Sequence, residues 1–121
     1  MRAVGIILAG GNSNKMKELT HRRAVAAMPI AGSYRAIDFA LSNMSNSHVQ
    51  KVAVLTQYNA RSLNEHLNSS KWWNFGRKQG GLYVFTPTIT HDNGYWYRGT
   101  ADAIYQNLDF LKRCHEPYVI I

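Results

Sequence analysis

An unbroken apolar run, Ala3-Val4-Gly5-Ile6-Ile7-Leu8, empties into a turn of small residues, Ala9-Gly10-Gly11. No other stretch says as much about the architecture. A short, continuous apolar run bounded by glycine reads as a strand buried on both faces, which belongs inside a sheet covered by helices. At the carboxyl edge of such a sheet, glycines let backbone N–H groups come close to phosphate oxygens. Leu8, Ala9, Gly10 and Gly11 are therefore candidate nucleotide-binding residues. The bland alternative is a tight strand-to-helix turn with no ligand. A third glycine and an arginine would serve phosphate best just downstream, and there the chain has Ser13 and Lys15.

The rest of the chain alternates strand and helix patterns. Ala9 to Thr20 reads as a polar loop. Ile37, Phe39, Ala40, Leu41 and Met44 fall at helical spacing and predict a short helix from Ile37 to Met44. Lys51 to Thr56 predicts a second buried strand. Leu63 and Leu67, one turn apart, predict an amphipathic helix from Ala60 to Asn68. Leu82 to Thr86, started by Gly80-Gly81 and stopped by Pro87, predicts a third strand. Thr88 to Gly94 reads as a polar segment. Ala101, Ile104, Leu108 and Leu111 predict one helix from about Ala101 to Arg113, with Thr100 as its N-cap. Tyr118 to Ile121 predicts a further buried strand, and its abrupt apolar end predicts a fragment of a longer protein. The expected fold class is α/β, Rossmann-like, with a mostly parallel sheet that is incomplete in this stretch and ligands at the carboxyl edge of the strands.

Composition narrows the partners. The 121 residues suffice for one domain, and the net charge of +7, from 14 basic and 7 acidic side chains, favours anionic ligands such as nucleotides and sugar phosphates. The basic residues are scattered, with small groups at His21-Arg22-Arg23 and Arg77-Lys78. A nucleic-acid-binding module would rest on charge and aromatics alone, without a clustered basic stripe, so no nucleic-acid partner is expected. Apolar runs fall far short of the roughly 20 residues that span a bilayer. No signal peptide is evident. A lone Cys114 fits a reducing compartment, so a cytoplasmic protein is expected. The five histidines lack metal-ligand spacing.

Four segments together resemble one family. Leu8-Ala9-Gly10-Gly11, with Leu19-Thr20 and Arg23-Ala24, looks like the N-terminal signature of sugar-nucleotide pyrophosphorylases. Arg35-Ala36-Ile37-Asp38-Phe39-Ala40-Leu41-Ser42-Asn43 is similar to the R-x-IDFALSN run of bacterial glucose-1-phosphate adenylyltransferases. Thr56-Gln57-Tyr58 matches their TQY. Trp96-Tyr97-Arg98-Gly99-Thr100-Ala101-Asp102-Ala103, followed by Gln106-Asn107-Leu108-Asp109, matches their WYRGTADA…QNLD. The resemblance implies ADP-glucose synthesis from ATP and glucose 1-phosphate for glycogen, with Mg²⁺. It also implies an N-terminal nucleotidyltransferase domain, a C-terminal left-handed β-helix outside residues 1–121, and a tetramer.

The resemblance also exposes departures. Where the active family reads GGxGTRLxxLT, this chain has Ser13, Asn14, Lys15 and Met16 in place of G-T-R-L. Lys15 supplies charge but not the planar fork of arginine. Where the family reads R-A-K-P-A, Val25 stands in place of the lysine. Loss of one such contact costs about 10²–10³ in rate. The family's metal-binding aspartate follows the strand that begins Tyr118-Val119-Ile120-Ile121, so no metal ligand is expected within this stretch. These changes resemble the GlgD-type second subunit, which modulates a catalytic partner in a hetero-oligomer. A fully active adenylyltransferase, with Lys15 as its catalytic residue, is the alternative.

By resemblance, Gly99, Thr100, Ala101 and Asp102 lie against adenine and ribose. Trp96 and Tyr97 stack on the base or carry an effector signal, with Gln57 and Tyr58 as its partners. Arg22 and Arg35 match positions for an anionic sugar-phosphate effector. Each has a plainer reading: a helix cap, ordinary core aromatics, and a solvated basic face. For Trp72, Trp73 and Phe75 the core or interface reading is preferred.

Overall fold

The computed structural model describes residues 2–11, 14–68, 73, 75, 81–92, 94 and 96–121. Expectations resting on Ser13, Trp72, Arg77, Lys78 and Gly80 therefore fall outside the described residues, as does the side chain of Asn14.

Four parallel strands form the central sheet: β1 (Ala3–Leu8), β4 (Lys51–Leu55), β5 (Gly81–Phe85) and β6 (Tyr118–Ile120), in the order β5-β4-β1-β6. Val4 to Leu8 pair with Lys51 to Leu55, and Lys51 to Leu55 pair in turn with Gly81 to Phe85. Between β1 and β4 lie a small antiparallel hairpin, β2 (Pro29–Ile30) and β3 (Tyr34–Arg35), and helix α1 (Ala36–Asn46). Helix α2 (Ala60–Asn68) joins β4 to β5, and α3 (Thr100–Gln106) and α4 (Leu108–Arg113) precede β6. No helix among the described residues is long and apolar enough to cross a membrane.

Alternation along β4 sorts the core into two layers. Val52 and Val54 pack with Ile37, Leu41, Val49, Leu63 and Leu67 on the α1–α2 side. Ala53 and Leu55, with Ile6, pack with Tyr97, Ala103, Phe110 and Leu111 on the α3–α4 side.

Several local features differ from the sequence expectation. Strand β6, expected to be buried, is exposed at Tyr118 (67%) and Val119 (46%), because among the described residues it pairs only with β1 at the sheet edge, and the expected loop from Ala9 to Thr20 carries a 3₁₀ segment, Asn14–Thr20. The hairpin β2–β3 is too short to leave a periodic signature; its loop carries positive φ at Ala31 (51°) and Gly32 (85°). The region 101–113 is two helices, because Asn107 leaves helical geometry (φ −106°, ψ 18°) and its side chain donates to the Ala103 carbonyl at 2.8 Å and to the Tyr97 hydroxyl at 3.0 Å. Thr100 is not the cap. Gly99 occupies that position without a side-chain bond, and Asp102 reaches back to accept from the Arg98 backbone N–H at 2.8 Å.

At the amino edge of the sheet, Lys51 and Glu116 form an ion pair at 3.3 Å. Burial pushes the Glu116 carboxyl upward, but backbone N–H groups and Lys51 outweigh it and hold the group below its ordinary value near 4.5. A lowered carboxyl contributes stability above that ordinary value and loses it as pH falls. Replacing Glu116 with Gln should therefore flatten the acid side of the stability profile below about pH 4.5, measured by urea denaturation. Leu41 is fully buried, and Leu41→Ala should cost about 2–5 kcal/mol in the same measurement at neutral pH.

Candidate functional site

The sheet order runs outward from β1 to β4 to β5 and then returns past β1 to β6, so it reverses at β1. Parallel α/β sheets bind ligands outside the carboxyl ends of the strands at such a reversal. The turn 9–11 leaves β1 at that point. Ala9 continues the ladder by donating to the Leu55 carbonyl at 2.8 Å, which holds the start of the turn against β4.

Gln57 ties this edge together. Its Nε2 donates to the Gly10 carbonyl at 3.2 Å, and its Oε1 accepts from the Tyr97 backbone N–H at 3.1 Å. One amide thus bridges the glycine turn and the segment that leads into α3. The two glycines differ in role. A Cβ on Gly10 would meet the Gln57 side chain at 3.3 Å, whereas around Gly11 nothing among the described residues lies within 4 Å. Gly10 makes room for the strut, and Gly11 leaves its backbone open.

Beside the turn is an open cavity of about 430 Å³, lined by Ile7, Leu8, Ala9, Gly11, Val25, Ala26, Ala36 and Ile37. Val25 thus shares a wall with the glycine turn. None of these side chains carries charge. Ala26, Ala36 and Ile37 were not foreseen as part of a site. Their approach depends on how α1 is anchored. The Asp38 carboxylate accepts from the Arg35 backbone N–H at 2.8 Å, capping α1, and pairs with His66 of α2 at 2.6 Å. The Arg35 guanidinium donates to the Ala27 carbonyl at 3.0 Å, fastening the 25–27 turn to the same helix start. An acidic residue three positions after the cap was the available signal.

The remaining candidates sit as follows. Lys15 is exposed on the 3₁₀ segment Asn14–Thr20, which is kinked at Lys17 (φ 45°). Arg22 lines a second cavity of about 580 Å³ with Glu18, His21, Arg23 and Pro29. Arg35 is not among the residues that line this cavity and donates its guanidinium to the Ala27 carbonyl, so the structure groups Arg22 with His21 and Arg23 and not with Arg35. Trp96 is 55% exposed and stacks on Tyr58, with ring centroids 5.1 Å apart and planes 5° from parallel. The Tyr97 ring faces the other way, buried in the α3–α4 core layer. Gly99, Thr100 and Ala101 are exposed at the start of α3, and Asp102 is spent on Arg98 and Gln106. Phe75 is buried and packs in the α1–α2 layer, with Trp73 partly buried against it.

A parallel sheet with helices on both faces, a glycine turn at its point of reversal and a polar strut across that edge define the Rossmann-like α/β class. The description "Nucleotidyl transferase" matches residues 4–121, and the chain belongs to that family. Similar proteins include the glucose-1-phosphate adenylyltransferases of Clostridium kluyveri, 47% identical over 118 residues (98% of this chain, 31% of the relative), and of Fusobacterium nucleatum, 46% identical over 121 residues (99% and 32%). That of Thermosipho africanus is 44% identical over 118 residues (98% and 29%). The chain spans about a third of the length of these relatives.

The two glycines give a contrast that can be measured. Gly10→Ala should destabilise the protein by about 1 kcal/mol, because the added methyl would stand 3.3 Å from the Gln57 side chain and push it off its two hydrogen bonds. Gly11→Ala, facing open space, should stay within about 0.5 kcal/mol of the parent. Thermal unfolding of the two variants checks this.

Proposed function

We propose that this chain is the N-terminal part of the nucleotidyltransferase domain of a glucose-1-phosphate adenylyltransferase subunit, of the divergent GlgD type that turns over weakly and modulates a catalytic partner. The whole protein would add a C-terminal β-helix, assemble as a hetero-tetramer and serve glycogen synthesis in the cytoplasm. In the reaction, a phosphate oxygen of glucose 1-phosphate attacks the α-phosphorus of ATP, and pyrophosphate leaves. Gly10 and Gly11 would hold the polyphosphate through backbone N–H groups, and the exposed start of α3 would meet the nucleoside.

One observation carries the regulatory reading: among the described residues, the cavity beside the glycine turn is lined by Val25 and other uncharged side chains. Charge on the transferring phosphoryl group needs preorganised cationic donors, and each one lost costs about 10²–10³ in rate. Lys15, exposed on the segment Asn14–Thr20, supplies a point charge only. Magnesium, when bound, would supply positive charge that offsets the charge on the phosphates. Among the described residues no three His, Cys, Asp or Glu side chains converge to hold a metal ion, and by resemblance its aspartate follows residue 121. Arg22, with His21 and Arg23, would take an anionic sugar-phosphate effector. The names of the relatives favour a second reading, a fully active adenylyltransferase.

ADP-glucose formation by the full-length protein, alone and mixed with a catalytic subunit, separates the two. Little turnover alone but an altered rate or substrate affinity in the mixture is expected, with Val25→Lys raising the activity of the lone subunit by about tenfold or more. Turnover alone at the rate of a catalytic subunit would overturn the regulatory reading.

A further inference from the structure

On the α3–α4 side of the molecule, beyond the carboxyl end of β5, a groove of about 480 Å³ lies between the segment 86–92 and the α3–α4 junction. We propose that it binds a neutral, hydroxyl-rich ligand of the oligosaccharide class. This does not rest on the function proposed above, because the groove is separate from the glycine-turn cavity.

Asn107, between α3 and α4, lines the groove, and its side-chain bonds to the Ala103 carbonyl and the Tyr97 hydroxyl hold the junction in place. The volume falls in the range of small-molecule sites, about 300–1,000 Å³.

The two walls offer complementary polar chemistry. Thr86 and Thr88 line one side at period two, as expected where extended backbone sends alternate side chains the same way. Asp109 and Lys112, one helical turn apart on α4, line the other with Gln106. Threonine hydroxyls donate and accept, a carboxylate accepts, an ammonium donates, and a carboxamide does both. That set matches sugar hydroxyls, which need a donor and an acceptor at each oxygen. Tyr105, 72% exposed, adds an aromatic surface for the apolar face of a pyranose ring.

Other ligand classes fit less well. Asp92 and Asp109 oppose a polyphosphate, and Lys112 offsets only one of them. Among the described residues no cluster could hold a metal ion. The lining is too polar for an apolar peptide side chain.

Calorimetric titration of the full-length protein with maltotriose, cellotriose and chitotriose tests the proposal. Saturable binding of at least one, with a Kd on the order of 1 mM and no competition from ATP, is expected. Tyr105→Ala should weaken it about tenfold at an unchanged melting temperature, Tyr105→Phe should retain it, and Asp109→Asn should weaken it independently. Absence of saturable binding by all three sugars, or equal affinity in Tyr105→Ala and Asp109→Asn, would overturn the proposal.

Discussion

Strand β4 has no solvent face. It lies between β1 and β5, and Val52, Ala53, Val54 and Leu55 are each 1% exposed or less. Every other element answers to that. The α1–α2 pair covers one face and the α3–α4 pair the other, and β1 and β5 are aligned by their register on the same strand. A strand buried on two sides belongs to a parallel sheet whose helical crossovers cover both faces. It also delivers the ends of β1 and β4 to one edge at one height, where Ala9 bonds to Leu55 and Gln57 reaches Gly10.

The cavity at that edge inherits its shape from the same packing and its chemistry from a few substitutable positions. Helix α1 is fixed by Asp38 between Arg35 and His66, and the 25–27 turn is fixed by Arg35. Both anchors are polar groups, and neither is among the residues that line the cavity. Among the described residues, the wall itself carries only apolar side chains and glycine. Scaffold and chemistry are thus separable here: the residues that build the cavity are not those that would supply charge inside it.

Much of this was legible in the chain. The continuous apolar runs gave β1 and β4 nearly to the residue, and the pair Leu63–Leu67 gave α2 with its full extent. What stayed hidden depended on contacts distant in sequence. Asn107 sits in an unbroken apolar period, and only its bond to the Tyr97 hydroxyl, ten residues back, reveals why the helix stops there. Thr100 looks like a cap, yet Gly99 takes that position without a side-chain bond, and Asp102 braces the approach to the helix by accepting from the Arg98 backbone N–H. Two-residue strands such as β2 and β3 are below the length at which period-two patterning exists. At the site, glycine chemistry located the turn. The lining by Ala26, Ala36 and Ile37 could not be read, because small apolar residues carry no chemical label.

The amide of Gln57 is a directional part. Its nitrogen end meets a carbonyl and its oxygen end meets an N–H, at 3.2 and 3.1 Å. A primary amide is one planar group with a donor at one end and an acceptor at the other. Glutamate has the same shape with acceptors at both ends, so the oxygen replacing Nε2 would face the Gly10 carbonyl oxygen with no proton between them. A change of one atom would turn a brace into a wedge, forcing the glycine turn away from the segment before α3. Steric equivalence alone therefore does not preserve this edge of the sheet; the sense of the hydrogen bonds does.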